Sequence, residues 1–212
     1  MPEGTAYLAA LLATGLLLGL RHALDADHVV AVATLLRRSA RPATVLWYGA
    51  TWGFGHTFTL LLTGLVVLTL RRAIPEGVAS LFEGTVGLML IVLGVAAIVR
   101  PAAADAGGEH DAPPLRRVGL RPFAVGMVHG LAGSAALMLL VLSTVPSVGL
   151  GVVYVLVFGL GSVGGMLLFS GVLAVPLALL ARHDRFYRHV RTAVGGVSIV
   201  LGLSIVAAHA PV

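Results

Sequence analysis

The sequence predicts an all-α integral membrane protein: six transmembrane helices as two inverted three-helix repeats, the first helix kinked or broken at a charged motif. Three observations predict it. The 212 residues are 58% hydrophobic and 11% charged, with a mean hydropathy of +1.00; a soluble domain is about 25% charged. Six apolar runs are each long enough for a bilayer core, which takes about 20 helical residues. The second half also repeats features of the first at a nearly constant offset. Long apolar runs without strict alternation exclude a lipid-facing β-barrel.

The first run, from about Thr5 to Leu36, is too long for one straight crossing at about 1.5 Å per residue. It begins near Glu3 with no early basic residue, so it reads as a retained helix rather than a signal peptide. The second runs from about Ala43 to Leu70 and the third from about Val78 to Val99, with Glu83 read as an interfacial residue near its start. A polar, Gly- and Pro-containing stretch follows, from Arg100 to Arg121, and reads as a linker. The last three segments cover about Pro122 to Val145, Val148 to Ala181 and Val190 to Ala208. One membrane domain, 1–212, is therefore expected: a first repeat over 1–100, a cytoplasmic linker over 101–121 and a second repeat over 122–212.

Charge sets the orientation. All 14 basic residues counted with lysine are arginine, and the net charge is +5. Eleven arginines fall in the loops on one side and only Arg71 and Arg72 on the other. The positive-inside rule places those eleven in the cytoplasm and both termini outside it. Arginines confined to short loops read as topology determinants, and no nucleic-acid partner is expected. The chain has no cysteine, which excludes thiolate ligands and thiol redox chemistry.

The repeat is carried by three matches in order. Gly19-Leu-Arg-His22-Ala-Leu24 corresponds to Gly126-Met-Val-His129-Gly-Leu131, offset by 107. Trp52-Gly-Phe-Gly55-His56 corresponds to Phe158-Gly-Leu-Gly161-Ser162, offset by 106. Gly87 and Ile91–Gly94 correspond to Gly195 and Ile199–Gly202, offset by 108. With three helices per half, the second half inserts upside down, as in transporters that bind their substrate at the repeat interface.

The chemistry is concentrated in Arg21-His22-Ala23-Leu24-Asp25-Ala26-Asp27-His28. Insertion scales penalise an intramembrane charge by roughly 2.5–3.5 kcal/mol, so this cluster calls for a ligand. At about 100° per residue, a continuous helix puts His22, Asp25 and His28 on one face and Asp27 about 140° from His22. Asp27 joins them only if the helix unwinds, which a membrane tolerates where the backbone lines a cavity. Imidazole with carboxylate suits a divalent first-row metal. The expected metal ligands are His22, Asp25, Asp27, His28, His56 and His129, with Arg21, Thr57, Ser134 and Ser162 supporting. Arg21 is expected to pair with Asp25 or Asp27 when no cation is bound, and ion binding to weaken as protons compete for imidazole. His110, His183, His189 and His209 read as solvated, with His110 also a candidate for metal capture.

At these residues the chain resembles the nickel/cobalt transporter family, whose signature R-H-A-x-D-A-D-H is matched in full by Arg21–His28. The family's Gly-His followed by Ser, Asp or Thr looks like Gly55-His56-Thr57. The six-helix length and Val128-His129-Gly130-Leu131-Ala132-Gly133-Ser134 resemble its short urease-accessory (UreH-type) membrane proteins. The resemblance implies transport of Ni²⁺, with Co²⁺ as a second cargo, across a bacterial or archaeal cytoplasmic membrane. It implies no prosthetic group and no catalysed reaction. Uptake is favoured, because the linker lacks the His-rich loop of efflux relatives. An exporter, an intramembrane metalloenzyme and a nickel-delivery accessory protein are the alternatives. Expected partners are the metal ion and the lipid bilayer, with a homo-oligomer and nickel-enzyme maturation proteins also open. No P-loop is present to couple ATP.

Overall fold

A computed structural model of the chain describes residues 2–35, 42–99, 115–132, 137, 140, 141, 145, 147–180 and 183–210. Among these residues it is all-helical, with no strand. The helices are α1 (Pro2–His22), α2 (Ala26–Leu35), α3 (Pro42–Leu70), α4 (Glu76–Val99), α5 (Leu115–His129), α6 (Val148–Leu180) and α7 (Asp184–Ala208). Five stretches are long and apolar enough to cross a membrane: Thr5–His22, Ala43–Leu70, Glu76–Val99, Val148–Pro176 and Arg185–Ala208. The chain is a multi-pass membrane protein, and its many outward-facing leucines, valines and phenylalanines suit a lipid surface.

The element boundaries have local causes. Proline stands at the first position of α3, where a missing N–H costs nothing. Before α4 the Pro75 carbonyl accepts the N–H groups of Val78 (2.9 Å) and Ala79 (3.0 Å), starting the helix, and Glu76 in its first turn suits the helix dipole. Glu83 therefore sits two turns inside α4 rather than at its start, and is half-buried. The end of α3 is turned by Arg71 at φ 53°, a left-handed position more often filled by glycine.

Two expected segments are interrupted. The first run stops as α1 at His22 and resumes as α2 at Ala26. The fourth, expected as Pro122 to Val145, begins earlier, at Leu115, and stops at His129. Residues 115–121 of the expected linker are thus helical, and Pro122 lies inside α5. The rest of the linker lies outside the described residues. Both interruptions are built alike: Ala23 and Leu24 donate to the carbonyls of Gly19 and Arg21, at 3.2 and 2.9 Å. Gly130 and Leu131 donate to those of Gly126 and Val128, at 2.8 and 3.2 Å.

Small residues set the packing, because helix backbones in lipid associate where side chains do not intervene. The closely packed pairs are α4 with α7, α3 with α6, α1 with α6, and α3 with α5. A methyl group on Gly19 would strike the Phe158 backbone, and one on Gly126 the Trp52 backbone. Along α4 and α7, Gly94 faces Gly195 and Gly87 faces Gly202; an added Cβ would lie 2.5–2.8 Å from the opposite carbonyl. The buried Ser198 Oγ donates to the Leu90 carbonyl at 2.7 Å, tying α7 to α4. One buried cluster, including Ala23, Ala31, Trp52, Leu90 and Met166, surrounds the level of the two interruptions.

Candidate metal centre

Four histidines from four helices meet at this level: His22 closing α1, His28 in α2, His56 in mid-α3 and His129 closing α5. His28, His56 and His129 are 1%, 0% and 0% exposed. Ring centroids lie 4.0 Å apart for His28 and His129, 4.5 Å for His22 and His28, and 5.2 Å from His56 to both His22 and His28. Two triads share His28: His22, His28 and His56, and Asp27, His28 and His129; in each, one ligand atom per residue lies within 4.8 Å of the others.

The carboxylates decide which ring nitrogens remain bare. Asp27 accepts from His129 Nε2–H at 2.8 Å through one oxygen and from His28 Nδ1–H at 3.1 Å through the other. Asp25 accepts from His22 Nδ1–H at 2.8 Å. A ring held at one nitrogen presents the lone pair of the other. His28 Nε2, His129 Nδ1 and both nitrogens of His56 are buried with no hydrogen-bond partner among the described residues. Leaving buried nitrogens bare costs on the order of 1–3 kcal/mol each. Bare nitrogens on rings this close are what a divalent cation with a preference for imidazole requires.

The interruption after His22 explains the geometry. On a regular helix Asp27 would point away from His22; the break turns it inward. Asp25, expected on the histidine face, instead stands at the rim, with its side chain 52% exposed and outside both triads. Arg21 is exposed and makes no ion pair among the described residues. The expected pairing with Asp25 or Asp27 is absent because both carboxylates are engaged by histidines.

Of the hydroxyls expected to support the site, the two described ones donate to backbone carbonyls. Thr57 Oγ1 donates to the Gly159 carbonyl at 3.3 Å, bridging α3 and α6. The buried Ser162 Oγ donates to the Phe158 carbonyl of its own helix at 3.1 Å. Ser134 and His110 lie outside the described residues. His183 is exposed, while His189 and His209 donate to carbonyls one turn back, at 2.6 and 3.0 Å, away from the cluster.

Two aromatic residues also shape the site, and no ligand motif names either. Trp52, 1% exposed, lies 5.4 Å from the His28 ring and 5.5 Å from the His129 ring, and its indole N–H has no partner among the described residues. Phe158 lies 5.4 Å from His22. Their one sequence signal is that they are repeat equivalents of each other.

The fold and the cluster define a class: a multi-pass helical membrane protein with converging imidazoles at a broken helix. More particularly, the chain belongs to the nickel/cobalt transporter family, among its short UreH-type members. It is 34% identical to urease accessory protein UreH of Bacillus sp. (strain TB-90), over 92% of this chain and 90% of that protein. It is 31% identical to chloroplast protein FOR GROWTH AND FERTILITY 2 of Arabidopsis thaliana over 91% of this chain, spanning 55% of that longer protein. A shorter match, 33% over 99 residues, joins 42% of the chain to 26% of a high-affinity nickel transport protein of Cupriavidus necator. No protein-family model and no solved structure matches the chain. The UreH protein and the nickel transport protein carry accessory and transport names rather than the name of a catalysed reaction.

Proposed function

We propose that the protein is a permease that carries Ni²⁺, and Co²⁺ as a second cargo, inward across the cytoplasmic membrane. The observation that supports it most is the set of bare nitrogens on His28, His56 and His129 beside His22. The ion is held by the triad of His22, His28 and His56, with His129 beside it on His28; Asp27 and Asp25 hold the rings in place. An imidazole set suits nickel and cobalt and discriminates against magnesium, calcium and manganese, which take oxygen ligands. The nickel transport protein among the relatives supports the cargo.

We read the chain as one membrane domain, 1–212, of two inverted halves, 1–100 and 122–212. The matched interruptions after His22 and His129, and the reciprocal approaches Gly19–Phe158 and Gly126–Trp52, support this. On this reading the remaining crossing, fourth in chain order, is α5 plus the helical residues beyond it, Leu137, Leu140 and Val141. The arginine asymmetry puts both termini outside the cytoplasm.

Nickel accumulation by cells with and without the protein tests this reading. The expected result is higher cell nickel with the protein, and loss of that gain in His28→Ala and His56→Ala variants that remain in the membrane. Lower cell nickel would make it an exporter; normal accumulation by both variants would sink the site. A second reading, nickel handed to an enzyme-maturation complex, is carried by the name of the UreH relative. It predicts that the gain depends on co-expressed maturation proteins.

A further inference from the structure

We infer that the ion reaches the buried imidazoles through the gap between α1 and α2, with Asp25 and His22 as its first stop. This rests on the transport reading above and adds a route and a kinetic role for Asp25.

Exposure falls in steps from Asp25 through His22 to the inner rings. The side chain of Asp25 is 52% exposed and that of His22 19%. Beyond His22 come His28 at 1% and His56 at 0%, with ring centroids 4.5 and 5.2 Å from His22. The Asp25–His22 hydrogen bond of 2.8 Å makes the outer pair continuous with the inner rings. Trp52 at 1% and Phe158 at 5% exposure cover the rings from α3 and α6, and Asp27, in the first turn of α2 at the same gap, is 23% exposed and bonds His28 and His129. Among the described residues, His22 is the histidine of the cluster that the surface reaches.

The gap has to be wet. Arg21, Leu24, Asp25 and Ala26 all face outward there. The ten residues of α2 place the gap about 15 Å inside the end of that helix. A guanidinium and a carboxylate facing hydrocarbon at that depth are costly, and intramembrane charges characteristically face water-filled cavities. Broken backbone at membrane depth obeys the same rule. A carboxylate at a wet mouth raises the local concentration of cations, and an imidazole behind it offers the first nitrogen ligand.

The chain has no cysteine, so a single introduced thiol reports its own surroundings. Leu24→Cys marks the gap; Leu88→Cys, at a site in the middle of α4 that is 58% exposed, marks the lipid face. In membrane vesicles with a water-soluble, membrane-impermeant maleimide, Leu24→Cys is expected to react at least about tenfold faster than Leu88→Cys. Its modification is expected to stop nickel accumulation, and Ni²⁺ to slow the labelling. Equal, slow labelling of both would overturn the port. So would a disulfide-linked dimer of Leu24→Cys on mild oxidation, because a second copy would then cover the gap.

Asp25→Asn keeps a hydrogen-bond acceptor for His22 but removes the charge. It is expected to raise the KM for nickel about fivefold or more with a smaller change in maximal rate, and to keep the nickel bound per purified molecule. Lost equilibrium binding in Asp25→Asn would make Asp25 a ligand and overturn its role at the port. If purified wild-type protein binds no nickel in equilibrium dialysis, the transport reading itself fails. Binding together with slow Leu24→Cys labelling removes the port alone.

Discussion

The two helix interruptions are close copies in backbone and opposites in chemistry. After His22 and after His129 the chain makes the same pair of turn hydrogen bonds. The first gap, Ala23 to Asp25, carries Asp25, is flanked by Arg21 and Asp27 and is largely exposed; the second, Gly130 to Ala132, carries no charge and is mostly buried. The partner helices differ in the same way. His56 in α3 presents two bare nitrogens, whereas its repeat equivalent in α6, Ser162, bonds a carbonyl of its own helix. Two interruptions meet at the enclosure, and among the described residues its carboxylates, Asp25 and Asp27, both come from the first of them. The second interruption contributes a single imidazole, His129, and that one is oriented by Asp27 beside the first.

Substitutions test this contrast. The largest effect is expected from His56→Ala, which removes the ring that has no other partner: nickel accumulation should fall about 100-fold or more, whereas Ser162→Ala should leave it within about twofold. Comparable losses in the two variants would mean that the halves share the chemistry equally. Next comes Asp27→Ala, which releases two rings at once. Removing a carboxylate that orients metal-binding histidines lowers affinity about 10- to 100-fold; isothermal titration with Ni²⁺ checks it. Asp25→Asn should cost less than Asp27→Ala at equilibrium, since it keeps an acceptor for one ring. The reverse order would exchange the roles assigned to the two carboxylates.

Smaller still is the effect expected at the α4–α7 contact, where the glycines of the two helices approach each other reciprocally. Gly94→Ala and Gly195→Ala each force a methyl group against the opposite backbone. Each should destabilise the protein by about 1–3 kcal/mol, measured as a lower melting temperature in detergent with nickel binding retained. Matching losses fit the symmetric packing; a loss in one variant alone would show that the contact is not reciprocal. Ser198→Ala, which removes the hydrogen bond to the Leu90 carbonyl, is expected to cost about 1 kcal/mol by the same measurement.

Much of this was legible in the chain because membrane constraints are strong. Apolar runs of crossing length, a charged octapeptide within one of them and glycines at matched offsets all survive as linear patterns. The need for a break before Asp27 could join the histidines followed from helical angles alone. Other features left no linear trace. The early stop of α5 at His129 is hard to see because the apolar sequence continues past it. Asp25 matches the histidine face of an ideal helix better than Asp27 does, yet it stands at the rim, because unwinding rotates everything after His22. The pairing expected of Arg21 was reasonable for a charge in lipid, but histidines 102 residues away or one turn off claimed the carboxylates first.

By itself, then, the sequence determined the class of molecule, the apolar segments, the doubled pattern and the residues that bring chemistry into the membrane. These are properties of composition and spacing, set before any two helices touch. The tertiary structure decided which carboxylate turns inward, which ring nitrogens stay bare and which histidine meets the surface. Those depend on where α3, α5 and α6 press against the break, and glycines at the crossings let the backbones approach closely enough for His56 and His129 to reach across to His28.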